Sequence, residues 1–412
     1  MPSFQIMAKP AGPICNLQCQ YCYYTEKENL YRGCTSWRMP ERVLETYVRQ
    51  YIQQQDAPAV TFVWQGGEPT LLGIEFFRKA VSLQAVYAGG KKIENAFQTN
   101  GVLLNDQWGE FLARNKFLVG VSIDGPAELH DVYRVDKGGK PTFSRVLGGI
   151  GLLNKHGVEF NTLTVVNRKN SFFPRDVYRF LKEIGSRYIQ FIPVVERIAA
   201  EPNAQGLRLL KPSSPESTTV SDWSVEPLQY GRFLRSVFDD WVRKDVGRFF
   251  VQMFDVALES WMGMEPNLCF FARSCGSAMV LEHNGDLYSC DHFVYPENRL
   301  GNIMGQPLAV LASCKQQRNF GNAKGDTLPH ECRHCGFLFA CNGECPKHRF
   351  LKTASEEAGL NYLCAGYKLF FDHIEPYMRF MATELRQGKA PANVMRWVRD
   401  GEPGRQVCAV DT

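Results

Sequence analysis

The strongest constraint on this 412-residue chain is where its 14 cysteines lie. Cys15, Cys19, Cys22 and Cys34 stand near the start. None follows until Cys269, after which come Cys275, Cys290, Cys314, Cys332, Cys335, Cys341, Cys345, Cys364 and Cys408. A chain of this length builds a core without disulfide staples, and a reducing compartment disfavours them, so metal has to explain the spacing. Two metal-bearing parts flanking a cysteine-free middle are therefore expected. Composition is otherwise ordinary: a net charge of +4, 44% hydrophobic residues and no polybasic block to grip nucleic acid or lipid headgroups. That hydrophobic content excludes a disordered chain. No apolar run approaches the roughly 18 residues of a membrane span. The first residues lack a cationic segment followed by an apolar one, so a cytoplasmic protein with neither nucleic-acid nor membrane partner is expected.

Short β-branched or aromatic runs at 4–7, 60–64, 93–98, 117–123, 160–166 and 188–194 alternate with helical patterns. Leu44, Tyr47, Val48 and Tyr51 show the i, i+3, i+4, i+7 face of an amphipathic helix. Strands separated by helices imply an α/β fold with a parallel sheet and right-handed crossovers. Counting cannot distinguish eight closed units from six open ones, but six candidates before the pattern breaks favour a partial (β/α)6 barrel. Chemistry in such a fold sits at the C-terminal ends of the strands. There lie Cys15, then Gln65-Gly66-Gly67-Glu68-Pro69, Gln98-Thr99-Asn100-Gly101 and Ser122-Ile123-Asp124-Gly125-Pro126.

A polar stretch at 196–224, including residues 211–219, reads equally as a substrate-facing lid and as a surface insertion. Residues 226–247 look helical, and the apolar segment 249–264 is expected to pack where the two parts meet. Asn284-Gly285 within 279–291 signals a β-hairpin. The remainder up to Cys364 reads as loop in which metal replaces a core, followed by a helical tail from His373. The expected division is 1–235 barrel, 236–265 connecting helical segment, 266–370 cysteine-rich domain and 371–412 tail.

Cys15-x3-Cys19-x2-Cys22 offers three thiolates in one loop after the first strand. A 4Fe-4S cluster held by three cysteines keeps one iron open for a chelating small molecule. A zinc site shares so bare a spacing. The C-terminal pattern is Cys269-x5-Cys275-x14-Cys290, then Cys332-x2-Cys335-x5-Cys341-x3-Cys345-x18-Cys364. These thiolates suit two fully ligated 4Fe-4S clusters, with zinc in one site the alternative. Cys34, Cys314 and Cys408 are left as ordinary thiols. His292, His334 and His348 lie near the predicted ligands and read as supporting or surface residues.

Tyr21 beside the third cysteine, the Gly-Gly-Glu-Pro loop and the barrel context make the N-terminal part resemble the radical S-adenosylmethionine (SAM) enzymes. The C-terminal cysteines resemble the SPASM extension of the peptide-modifying members. The whole chain is most similar to the anaerobic sulfatase-maturating enzymes, through Lys9-Pro10, Thr70 after the Gly-Gly-Glu-Pro loop, Cys290-Asp291 and Arg299-Leu300-Gly301-Asn302-Ile303. The resemblance implies a radical SAM partial barrel, a SPASM domain with a small hairpin, and a C-terminal helix. It implies three 4Fe-4S clusters: Cys15, Cys19 and Cys22 hold the SAM-binding one. Cys269, Cys275, Cys290 and Cys345 hold the first auxiliary cluster, and Cys332, Cys335, Cys341 and Cys364 the second. It places Tyr21 and Val195 near the SAM adenine, Gly67 at the methionine amine, and Ser122 and Arg134 at the ribose and carboxylate end.

The implied reaction oxidises a cysteine or serine of a sulfatase, within Cys/Ser-x-Pro-x-Arg, to Cα-formylglycine. A 5′-deoxyadenosyl radical abstracts hydrogen, Asp291 takes the proton, and an auxiliary cluster takes the electron. A low-potential flavodoxin or ferredoxin is the implied electron donor. The alternatives are a maturase forming thioether or carbon-carbon crosslinks in a ribosomal peptide, and a non-catalytic iron-sulfur carrier or redox sensor. Crosslinking maturases often carry an N-terminal peptide-clasping domain, which the 14 residues before Cys15 do not provide. A carrier has no evident use for an open three-cysteine site.

Overall fold

The computed structural model of the chain describes residues 4–31, 33–34, 36–203, 206–214 and 219–401. Cys408 and residues 215–218 of the polar stretch lie outside the described residues. Strands β1 (Gln5–Lys9), β2 (Ala59–Trp64), β3 (Lys92–Thr99), β4 (Leu118–Ser122), β5 (Phe160–Val166) and β6 (Tyr188–Pro193) pair in parallel, in chain order. Their two-residue period has a direct use. In β2, Val60, Phe62 and Trp64 are buried against helix Glu41–Gln53, where Phe62 meets the rings of Tyr47 and Tyr51 at 5.4 and 5.1 Å. The alternate residues of the strands, such as Val63, Gln98, Leu163, Val165 and Gln190, face the open interior and line a cavity there.

The sheet is wider than six strands. Strand β7 (Phe250–Val251) extends it beyond β6, and β8 (Ala278–Glu282) pairs in parallel with β1, register Lys9 to Glu282. Strands β9 (Asp286–Tyr288) and β10 (Arg299–Asn302) complete an open ten-stranded sheet in antiparallel fashion. The Asn284-Gly285 hairpin is thus present, with Gly285 at φ +88°. It is not a separate small sheet, because it covers the exposed edge of β1.

The cysteine-rich part also contains helices Leu308–Ala312 and Lys315–Asp326, where the sequence pattern suggests loop. The latter buries Gln317, Gly321 and Lys324, so no apolar stripe announces it. The polar stretch folds around buried Arg197, whose guanidinium donates to the carbonyls of Lys211 (2.8 Å) and Ser214 (3.0 Å). Glu26, in the turn of helix after Cys22, accepts the N–H groups of Arg208 and Leu209, so the stretch lies beside the cysteine loop.

Helix Pro227–Lys244 packs along helix Cys364–Arg386, which starts earlier than the expected tail and runs through residue 370. Among the described residues, no helix is long and apolar enough to cross a membrane. These two helices approach at backbone distance: a Cβ on Gly231 would lie 2.4 Å from Gly366 O, and one on Gly366 would lie 2.0 Å from Pro227 O. Gly366→Ala should therefore destabilise by roughly 1–3 kcal/mol. Gly148→Ala, in helix Phe143–Lys155 with nothing near its Cβ, should stabilise by up to about 1 kcal/mol. Thermal midpoints measured side by side should move in opposite directions.

Candidate active site

The loop after β1 is clamped by the motifs that follow β2 and β3. Gly67 N–H donates to Gly12 O and Glu68 N–H to Ile14 O, both at 2.8 Å. A Cβ on Gly67 would lie 1.9 Å from Ile14 O, so only glycine permits this approach. The buried Glu68 carboxylate accepts from Thr70 Oγ1 (2.6 Å), Thr99 Oγ1 (2.7 Å) and Asn100 N (2.8 Å). Burial pushes its pKa up, and these donors hold it back. Asn100 Nδ2 in turn donates to Asn16 Oδ1 at 2.7 Å, while Leu17 N–H points to Cys15 Sγ at 3.3 Å. The order of the cysteine loop thus comes from two neighbouring strand ends.

A cavity of about 560 Å³ opens at this end of the strands. Cys15, Cys19, Cys22, Tyr21, Gly67, Ser122 and Arg134 line it, and so do Asp291, His292 and Lys347 from the far end of the chain. Val195 does not line it: its side chain is buried in the core, and Val194 faces the space instead. Asp124 anchors two of these groups, accepting from the Tyr21 hydroxyl and pairing with Arg134 Nε at 3.0 Å. The Arg134 guanidinium also lies 5.4 Å over the Tyr21 ring. Burial alone would lower the Arg134 pKa, but Asp124, together with Tyr21 and Cys19, more than offsets it and the guanidinium stays charged.

Asp291 meets a second cation. Lys9 Nζ, at the end of β1 and almost wholly buried, lies 2.6 Å from Asp291 Oδ1, and the Tyr23 hydroxyl donates to Oδ2. Burial pushes the Asp291 pKa up, yet Lys9, together with His292 and the Tyr23 hydroxyl, more than offsets it and holds the carboxyl below the usual range. Lys9 also lies 4.1 Å from the Tyr24 ring centre, and the Tyr24 hydroxyl donates to Glu282. In the sequence Lys9 stands in a motif that declares no role for it, and Tyr23 carries no signal of its own. The available signal was a charged residue closing an otherwise apolar strand. His292 stacks on Tyr23 at 4.9 Å, and burial drives its pKa well below normal, so its ring is neutral.

The remaining cysteines form two interleaved groups. Cys269, Cys275, Cys290 and Cys345 stand within electrostatic reach of one another. Cys332, Cys335, Cys341 and Cys364 together line a small separate cavity. Burial pushes Cys15 and Cys341 up to about 12 and Cys19 and Cys269 to about 11, so a metal has to displace a proton from each thiol. Among the described residues, no three His, Cys, Asp or Glu side chains converge as they would on a single ion. Four cysteine thiols in each group, with no imidazole or carboxylate in the set, are donors suited to iron-sulfur clusters. The other thiols have local uses: Cys34 Sγ lies 3.5 Å from His283 Nε2, and Cys314 Sγ accepts Gln317 N–H. His348 is buried against Glu344 at 3.0 Å, whereas the His334 ring lies 4.0 Å from that of His330, tilted to it, near the surface.

Residues 10–181 match the Radical SAM superfamily, and residues 269–336 match the SPASM iron-sulfur cluster-binding domain. Across 96% of its length the chain is 51% identical to the serine-type anaerobic sulfatase-maturating enzyme of Bacteroides thetaiotaomicron, 95% of which is covered. It is 33% identical over 94% of its length to the cysteine-type enzyme of Clostridium perfringens, covering 100% of that protein. The solved structure of native anSMEcpe with bound AdoMet superposes with a TM-score of 0.81 at 34% identity, over 92% of this chain and 99% of that one. Streptococcus suis SuiB bound to its precursor peptide shares the fold alone: its TM-score is 0.58 at 15% identity, over 88% of this chain and 76% of that one. The crosslinking and carrier alternatives give way to these relationships. The chain belongs to the anaerobic sulfatase-maturating enzymes, radical SAM proteins with iron-sulfur clusters that convert a serine or cysteine of a sulfatase to formylglycine.

Proposed function

We propose that the cavity between the cysteine loop and Asp291 is where the sulfatase residue is oxidised, with Asp291 as proton acceptor and serine as the better substrate. The carrying observation is that one cavity is lined both by Cys15, Cys19 and Cys22 and by Asp291. Three 4Fe-4S clusters are proposed: one on that loop, one on Cys269, Cys275, Cys290 and Cys345, and one on Cys332, Cys335, Cys341 and Cys364. When bound, the clusters and SAM supply a 5′-deoxyadenosyl radical that takes a hydrogen from the substrate CH2, and an acceptor for the electron then released. Gly67 offers its close-packed backbone to the methionine amine, while Ser122 and the charged Arg134 face the ribose and carboxylate end. Tyr21 stands near the adenine, whereas Val195, buried in the core and absent from the cavity lining, takes no part there.

Asp291 enters the reaction ionised because Lys9 holds it so. A depressed pKa makes it a weak base towards an ordinary alcohol. A hydroxyl on a carbon that is losing an electron is a strong acid, however, so being ionised and in place matters more than basicity. The products from serine are an aldehyde and a proton on Asp291. Cysteine would give a thioaldehyde, which water converts to the aldehyde with release of hydrogen sulfide.

The substrate is proposed to be an extended sulfatase segment carrying Cys/Ser-x-Pro-x-Arg. The related anSMEcpe has been solved with AdoMet and the Cp18Cys peptide bound, which supports a peptide entering this cavity. Serine preference is supported by 51% identity to a serine-type enzyme against 33% to a cysteine-type one. One-electron cleavage of a sulfonium calls for a strong reductant, which a low-potential flavodoxin or ferredoxin supplies. A reducing cytoplasm, where unpaired thiols stay available to iron, is the proposed compartment.

Three variants test this reading. Asp291→Asn should keep SAM cleavage but cut aldehyde yield by roughly 10²–10⁴-fold, read by mass spectrometry of a serine peptide against deoxyadenosine released. Aldehyde at the parental yield would reduce Asp291 to a structural residue. Cys19→Ala should release no deoxyadenosine under strong reductant. In Gly67→Ala the new Cβ drives the loops apart, and SAM binding measured by equilibrium dialysis should weaken at least about tenfold.

A further inference from the structure

The cavity wall that carries Asp291 holds one polar side chain with no task in the reaction just derived. Lys9 and Tyr23 are engaged with Asp291, and Lys347 is paired with Glu196. His292 lines the same cavity, and no hydrogen bond engages its ring among the described residues; Nδ1 is closed to solvent, which leaves Nε2 to meet a group in the cavity. An imidazole without partners beside a reaction space is free to pair with a polar group that enters it. The ring is also held in place, because it stacks on Tyr23 at 22° between planes. One tyrosine therefore fixes both neighbours, Asp291 through its hydroxyl and His292 through its face.

We propose that His292 is a specificity-determining residue: its imidazole hydrogen-bonds the hydroxyl of a substrate serine whose proton Asp291 accepts, and so favours serine over cysteine. This rests on Asp291 being the proton acceptor. A serine hydroxyl has one donor and two acceptor lone pairs. Its proton is directed to Asp291, already occupied by Lys9 on one oxygen and by Tyr23 on the other, so a lone pair is free to accept an imidazole N–H. Which ring nitrogen carries that hydrogen is set by the partner it meets. A thiol sulfur is a weak acceptor and leaves the imidazole nearly as unsatisfied as before. Discrimination arises where a site's own polar group goes unpaired with the wrong substrate.

The test compares two peptides identical except for serine or cysteine at the target position, with iron-loaded enzyme. His292→Phe keeps a ring to stack on Tyr23 and removes both nitrogens. The ratio of kcat/KM for the serine peptide to that for the cysteine peptide should fall about tenfold. His292→Asn, which restores a short donor, should recover part of that ratio. Iron content and deoxyadenosine release on the same preparations show that the variants are loaded, and His292→Leu gives the same reading if the Phe variant takes up iron poorly. An unchanged ratio, or equal losses with both peptides, would overturn the specificity role. Aldehyde formation that survives Asp291→Asn would instead overturn the proton-acceptor reading, whatever ratio the His292 variants give.

Discussion

The contact between Lys9 and Asp291 holds the two ends of the chain in working relation. Lys9 closes the first strand, just before the cysteine loop, and Asp291 follows Cys290. The buried pair at 2.6 Å is possible because β8 runs alongside β1, with Lys9 opposite Glu282, and the chain returns through β9 to bring Asp291 over the strand end. Buried ion pairs add little net stability, but removing one partner strands a charge at a cost of about 3–5 kcal/mol. The pair therefore fixes position more than it stabilises. Tyr23 and Tyr24, adjacent in the cysteine loop, tie its two sides to Asp291 and Glu282 respectively, so the loop cannot shift without disturbing both.

Much of this was legible in the sequence for physical reasons that can be named. The strands carry apolar residues at a period of two, and their starts and ends fall within a few residues of the expected ones, as with β5 at Phe160–Val166. The site motifs were legible because strand-end loops that must hold ligands concentrate glycine, asparagine and acidic residues. Pairing of β8 with β1 was not legible, since contact between distant strands leaves no local period. Helix Lys315–Asp326 was hidden because it buries polar residues: Lys324 is fully buried and donates to Cys269 O at 2.8 Å and Phe270 O at 2.9 Å. Gly321 lets that helix approach Cys275, whose carbonyl would lie 2.6 Å from an added Cβ. The roles of Tyr23 and His292 were hidden for a related reason, since an aromatic beside a cysteine and a histidine beside an aspartate declare no partner until the fold brings them together.

The cysteine-rich part replaces apolar burial with a different balance. Lys324 and Arg349 are both drawn from water, and burial lowers the pKa of each. Their close hydrogen bonds go to backbone carbonyls, Arg349 to those of Gly343 (2.7 Å) and Lys324 (2.6 Å). The opposing charge within reach is that of thiols, Cys275 and Cys345 for Lys324 and Cys341, Cys275 and Cys332 for Arg349, together with Glu344. Thiolates held by iron keep that charge at a pH where free buried thiols would be protonated. Metal loading and the folding of this part are therefore expected to be one process, with the two cations acting as its counter-charges.

The proposed reaction draws on both ends of the chain. In the proposed reaction hydrogen abstraction falls to the wall built from β1 to β4, where Gly67, Ser122 and Arg134 face the cavity. Proton removal in the proposed reaction falls to the part of the wall where Asp291 and His292 are held by Tyr23. A residue on a long peptide can meet both walls only if they share one cavity at fixed separation. That separation is set by backbone pairing between β1 and β8, by a glycine that admits no side chain, and by one buried ion pair. All three act through short, stiff contacts, and so a substrate carbon placed for abstraction is already placed for the loss of its proton.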